Sequence, residues 1–133
     1  MTTIPTSMRD AVIQRAKGRC EYCCKPQVTF FPHEVDHIVA RKHGGLTILD
    51  NLAFACFECN RHKGSDLTSI DPQTGAIVPL FNPRTQQWRE HFKFDGPTIV
   101  PLTPEGRVTL SLLHINEPER VQEREALKVY EMG

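Results

Sequence analysis

The sequence predicts an α+β protein: a strand–loop–strand–helix core stapled by a four-cysteine metal site, with a helix before it and a small α+β extension after it. Three observations lead there. Four of the five cysteines form two C-x2-C pairs, Cys20/Cys23 and Cys56/Cys59. Short β-branched and aromatic runs, the composition of strands, lie between those pairs. Turn and capping residues then divide the second half into further short elements.

The cysteines bound the rest. No apolar run approaches the ~18 residues that cross a bilayer, and "MTTIPTSMRD" lacks the apolar stretch of a secretion signal. The protein is therefore expected to be soluble and cytoplasmic, with no membrane partner, in a compartment where thiols stay reduced. Two C-x2-C units there read as one zinc ion bound by Cys20, Cys23, Cys56 and Cys59, because each knuckle aims two sulfurs at one point. A redox pair or plain buried thiols would use the same residues, but paired spacing arises rarely by chance. "CEYCC" also lets Cys24 stand in for Cys23; x2 spacing fits a knuckle better, which leaves Cys24 free. Four sulfurs fill the coordination sphere, so this zinc is structural. Such a site can supply on the order of 10–16 kcal/mol at neutral pH, comparable to a whole domain's stability.

"SMRDAVIQRAKGRC" has the spacing of an amphipathic helix, with Ser7 as N-cap, Met8, Val12 and Ala16 on one face, and Gly18 as its stop. The first knuckle follows. "VTFF" and "EVDHIVA" are strand-like, separated by Pro32. "RKHGGLTILDN" reads as a loop around its glycine pair. "LAFACF" could be strand or helix, and strand is the choice made here. "CFECNRHKG" fits a short helix that starts at the second knuckle and closes at Gly64. Turns are expected at "DPQTG" and "NPRTQ", and paired strands at "QWREHFKF" and "PTIVPL", joined at Asp95-Gly96. Thr103 with Pro104 opens a helix through "RVTLSLLHI". Asn116 can cap a last helix, "EPERVQEREALKVYEM", whose charged flank is read as solvated. Phe81, Trp88, His91 and Phe92 are expected in the core of the extension.

At 133 residues the chain is most simply one domain, organised as residues 1–65 with the knuckles and residues 66–133 as an extension packed on them. Its 16 basic and 16 acidic side chains balance, with nine basic against six acidic in residues 1–65. That slight basic excess is as compatible with an ordinary solvated surface as with a polyanionic partner.

The stretch "EVDHIVARKHGGLTILDNLAFACFECNRHKG" resembles the core of the HNH endonucleases. The pattern is met by Asp36-His37, Gly44-Gly45, Asn51-Leu52, Cys56, Cys59, Asn60 and Lys63, over about residues 20–65. Because Asn60 stands where that family often has histidine, the resemblance is to the H-N-N variant. It implies a ββα-metal unit and a metal-dependent nuclease acting on nucleic acid, most simply double-stranded DNA, leaving 5′-phosphate and 3′-hydroxyl ends. It also implies that Asn51 holds the loop and helps orient the base histidine; its alternative is an ordinary turn or capping residue.

Phosphodiester hydrolysis needs a base for water and positive charge at the phosphoryl and leaving oxygens. A neutral imidazole is a suitable base, which assigns His37. Asp36 and Asn60 offer hard oxygen donors, a set that suits Mg²⁺ or Mn²⁺. Adjacent strand residues point to opposite faces, so Asp36 and His37 approach a phosphate from different sides unless the strand bends. Asn60 and Lys63 are i,i+3 on one helix face, which lets Lys63 meet a phosphate beside the metal. His62 is a phosphate contact or a bystander, and Arg41, Lys42 and His43 contact a nucleic-acid backbone or are merely solvated. Two other classes use the same frame: a zinc-stapled nucleic-acid-binding module without catalysis, and an interaction domain. Cutting both strands with one site would need two events or a homodimer.

Overall fold

The computed structural model describes residues 4–27 and 32–131. It is an α+β structure whose sheets, among those residues, are three two-stranded antiparallel pairs. The expected strand at residues 28–31 lies outside the described residues.

Helix α1 (Thr6–Ala16) is N-capped by Pro5, which makes no side-chain cap bond. Ser7, the expected cap, sits inside the first turn instead, because the fixed φ of Pro5 already sets the chain for helix entry. At the other end Lys17 and Gly18 share the left-handed reversal, with φ of 56° and 71°. Their N–H groups return to Gln14 O and Ile13 O.

Strands β1 (Glu34–His37) and β2 (Leu52–Ala55) pair with Val35 opposite Phe54, Asp36 opposite Ala53 and His37 opposite Leu52. Directly opposed residues share a face, so the pair has two distinct sides. Leu52 and Phe54 pack with Val35 against Val12 of α1. Ala53 and Ala55 join the larger core, together with Ile38 and the four paired cysteines. That core also takes in Phe81, Phe92, Ile99, Leu110, Leu113 and Ile115, so one apolar cluster runs from the knuckles into the extension. Helix α2 (Phe57–Lys63) follows β2 directly and completes a strand–strand–helix unit.

In the extension, β3 (Thr68–Ile70) pairs with β4 (Ile77–Pro79) around the "DPQTG" turn. The first half of "QWREHFKF" is a helical turn, α3 (Trp88–His91), rather than strand; only β5 (Phe92–Asp95) pairs with β6 (Thr98–Pro101). The helical turn lets Trp88 stack toward Phe92, ring centroids 5.2 Å apart, and donate from Nε1 to Tyr22 O at 3.0 Å. Helix α4 (Pro104–Leu112) is capped as expected by Thr103, whose side chain accepts from Gly106 N.

Helix α5 (Pro118–Leu127) departs from expectation twice. Its N-cap is Glu117, and Asn116 instead clamps β6, accepting from Ile99 N at 3.1 Å and donating to Ile99 O at 2.7 Å. Its charged flank is not simply solvated, since Arg120 and Arg124 are buried. Arg124 donates to Pro97 O, Ile115 O and Asn116 Oδ1 at 2.7–2.8 Å, satisfying carbonyls that burial would otherwise leave unpaired. No helix among the described residues is long and apolar enough to cross a membrane.

The β3–β4 turn is locked by Asp71. Its carboxylate accepts from Gln73 N and Thr74 Oγ1 and takes both arms of Arg107, at 3.0 and 2.8 Å. Arg107, followed by these local donors, holds the Asp71 carboxyl well below the usual carboxylate range. A depressed folded pKa contributes stability above the unfolded value of about 4 that is lost as pH falls toward the folded one. Asp71→Asn is therefore expected to lower the urea midpoint at pH 7, with the wild type's advantage shrinking as pH drops below about 4. An advantage that stays constant with pH would exclude the carboxylate charge as its source.

Candidate active site and metal centre

The four paired cysteines converge. Their Sγ atoms all lie within 4.8 Å of one another, and all four residues are buried. Four sulfurs about 2.3 Å from one tetrahedral centre would sit about 3.8 Å apart, and Cys23 Sγ lies 3.7 Å from Cys56 Sγ. That spacing fits a shared ion. Each knuckle turns backbone N–H groups onto its first sulfur: Tyr22 N and Cys23 N lie 3.4 and 3.5 Å from Cys20 Sγ, and Cys59 N lies 3.4 Å from Cys56 Sγ. Cys24 is outside the cluster, in a left-handed conformation at φ 68°. Burial, with the neighbouring Cys23 charge, pushes its thiol up to about 12, so it stays protonated.

The cluster is tied to β2 on both sides. Glu21, inside the first knuckle, donates from its N–H to Phe54 O and accepts at Oε2 from Phe54 N, each at 2.8 Å. The second knuckle begins where β2 ends, and Cys56 is the N-cap of α2. Asn60 is therefore placed one helical turn beyond a sulfur that the cluster holds.

Asp36 and Glu34 alternate with His37 along β1, which puts the two carboxylates on the side of Ala53 and Ala55 and the imidazole on the other. On the carboxylate side, Asn60 Nδ2 donates to Glu34 Oε2 at 2.5 Å. Asp36 is held from α2: Lys63 Nζ lies 3.0 Å from its Oδ2. Burial pushes the Asp36 carboxyl up, with the Lys63 charge and hydrogen bond pulling the other way. On the opposite side, His37 Nε2 lies 2.9 Å from Thr47 Oγ1.

Lys63 is the clearest correction to the sequence reading. It is 2% exposed, and beyond Asp36 its ammonium donates to His37 O and Ile38 O at 3.3 and 3.2 Å. An ammonium has three N–H donors, and all three are directed inward, so Lys63 does not face a phosphate. The i,i+3 relation to Asn60 was right about the face and wrong about what that face meets. His62 is a bystander to the carboxylates: its ring stacks on His114 of the extension, centroids 4.3 Å apart. Burial, then His114, lowers its pKa. Arg41 and Lys42 are exposed in a 3-10 turn at residues 41–43, and His43 Nε2 lies 3.2 Å from Ser65 O.

The loop between the strands is closed by Asn51. Its amide donates to Val39 O and Leu46 O at 3.0 and 2.8 Å and accepts from Val39 N at 2.9 Å. Gly45 passes so close to this crossing that a Cβ there would fall 1.7 Å from Val39 O.

The sequence profile of the HNH endonuclease family matches residues 20–66. That span takes in both knuckles, β1, β2 and α2. Residues 20–66 are thus similar to an HNH endonuclease domain. The chain is also similar to the CRISPR-associated endonuclease Cas9 of Corynebacterium diphtheriae, 43% identical over 81 residues that make up 57% of this chain and 7% of that protein. The chain thus corresponds to a small part of that relative's length. No solved structure matches it.

Two residues of the matched segment escaped the sequence reading. Glu34 stands two positions before Asp36, and the strand period alone would have placed it on the same face. Thr47 carries no such signal; only the folded loop brings it to His37. The loop crossing can be tested directly. Gly45→Ala is expected to cost ~1–3 kcal/mol through overpacking against Val39, read as a lower urea midpoint, and an unchanged midpoint would mean the loop can give way there.

Proposed function

We infer that the HNH domain hydrolyses phosphodiester bonds in DNA, most simply double-stranded, with His37 as general base and one Mg²⁺ or Mn²⁺ ion held by Asp36 and Asn60. The observation that carries this reading is the division of β1: oxygen donors from Glu34, Asp36 and Asn60 gather on one side, and an oriented imidazole stands on the other.

His37 is the group that takes the proton from water. Nε2 is engaged with Thr47 Oγ1 at 2.9 Å, which sets the ring's orientation before substrate arrives; in the tautomer that carries its proton on Nε2, Nδ1 is the nitrogen that takes the proton. Lys63 engages Oδ2 of Asp36, which leaves Oδ1 as the oxygen for a cation. Glu34 receives the NH2 end of the Asn60 amide, so the carbonyl end is the one free to ligate. This donor set is all oxygen, as Mg²⁺ and Mn²⁺ require. Bound there, the ion supplies positive charge to the phosphoryl and leaving oxygens. Asn51 supports the site indirectly, by closing the loop that carries Thr47. Arg41 and Lys42, exposed on the same loop, meet the DNA backbone. In this reading residues 1–65 form the nuclease core and residues 66–133 an extension packed on it. Cutting both strands takes two copies or two successive events.

The second metal of this reading is zinc, on Cys20, Cys23, Cys56 and Cys59, with a structural role only. The sulfur spacing and the burial of all four residues support it.

Incubating plasmid with the protein and Mg²⁺, Mn²⁺ or EDTA tests the nuclease reading. Nicking should require the divalent ion, and His37→Ala should slow it by about 10²–10⁴-fold without changing the circular-dichroism spectrum. Wild-type activity in His37→Ala would remove it as the base, and band shifts without cutting would favour a binding module. For the zinc site, Cys56→Ala is expected to lose bound zinc and to unfold; a folded, zinc-loaded product would show that the ligand set is wrong.

A further inference from the structure

Arg120 lies in α5, far along the chain from the knuckles, yet one of its guanidinium nitrogens is 3.0 Å from Cys59 Sγ and 3.6 Å from Cys56 Sγ. The other donates to Leu113 O at 2.6 Å and His114 O at 3.2 Å, just past the end of α4. The side chain is buried and held from both sides. The geometry points to Arg120 as a positioning residue of the zinc centre, a cation supplied by the extension that makes the extension part of the metal site.

This inference rests on the zinc reading above. Zinc with four thiolates carries two net negative charges, and burying them without compensation is costly. Backbone N–H groups relieve Cys20 and Cys56. At Cys59 the short contact comes from Arg120. A guanidinium is permanently charged, and its planar fork can serve sulfur and carbonyl at once. The other buried cations of this region are committed elsewhere. Arg124 bonds only to oxygens, and Lys25 pairs with Glu123 at 3.0 Å and Glu58 at 3.8 Å. Groups that surround metal ligands in this way commonly change metal affinity by about 10–100-fold.

The test uses the full chain, with Arg120→Met, Arg120→Lys and, as a packing control, Arg124→Met. Three readouts are compared: zinc affinity by competition with a chromogenic chelator, the sulfur-to-cobalt charge-transfer band of the Co²⁺-loaded protein, and site-resolved alkylation of the zinc-loaded protein by iodoacetamide. Arg120→Met should bind zinc about 10–100-fold more weakly, shift the cobalt band, and alkylate several-fold faster at Cys59 and Cys56 than at Cys20 and Cys23. Arg120→Lys keeps the charge without the fork and should fall between. Arg124→Met should lose stability to urea while keeping the wild-type cobalt band and alkylation pattern.

Wild-type values for Arg120→Met in all three readouts, or identical behaviour of the Arg120 and Arg124 variants, would overturn the assignment. If Arg120→Met does not fold, Arg120→Lys decides: an unchanged band and alkylation pattern overturns it, and a Cys59-selective change supports it. A wild-type protein that holds no zinc overturns the zinc reading itself, a result distinct from zinc-loaded protein indifferent to Arg120.

Discussion

The convergence of four sulfurs on one buried point is the constraint from which the rest of the site takes its position. The first knuckle is bonded to the edge of β2, and the second is the hinge by which β2 becomes α2. Bringing the two together therefore fixes the angle at which α2 crosses β1. Glu34, Asp36 and His37 sit on β1, and Asn60 and Lys63 on α2. The register of β1 on β2 decides which side chains reach α2, and the cap at Cys56 decides how far along α2 the amide of Asn60 falls.

Buried cations complete the frame. Lys63 closes α2 onto β1 by holding the Asp36 carboxylate and two carbonyls at the end of the strand. Arg120 and Arg124 fasten α5 to the core through carbonyls and, for Arg120, through sulfur. Charges this deeply buried are costly unless their donors find acceptors; Lys63 meets a carboxylate and two carbonyls, Arg120 sulfurs and carbonyls, and Arg124 three neutral oxygens. The net neutrality of the sequence conceals this arrangement, because it counts charges without saying which are inside.

The two sides of β1 separate the carboxylates of Glu34 and Asp36 from the imidazole of His37. The imidazole of His37 lies across the strand from the carboxylates and meets the hydroxyl of Thr47. The carboxylates on the other face crowd together, and the amide of Asn60 and the ammonium of Lys63 relieve them. The Asn51 loop joins the two sides, since it bonds to Val39 just after the strand and carries Thr47 back to His37.

Much of this was readable from the chain itself. The cysteine pairs, Asp36-His37, the glycine pair and Asn60 stand at short spacings where local geometry settles the outcome. The same holds for β2, for α2 with its end at Gly64, and for the Thr103 cap. The alternation of Asp36 and His37 to opposite faces followed from the strand period alone. Other features were decided only by the tertiary structure. Lys63 turns inward, His62 meets His114, Thr47 meets His37, and Arg120 reaches the sulfurs of Cys59 and Cys56 from 61 and 64 residues away. Long, flexible, charged side chains can serve solvent, substrate or core with equal local propensity. Which they serve depends on the partner that packing brings within 3 Å, and no local pattern encodes that partner.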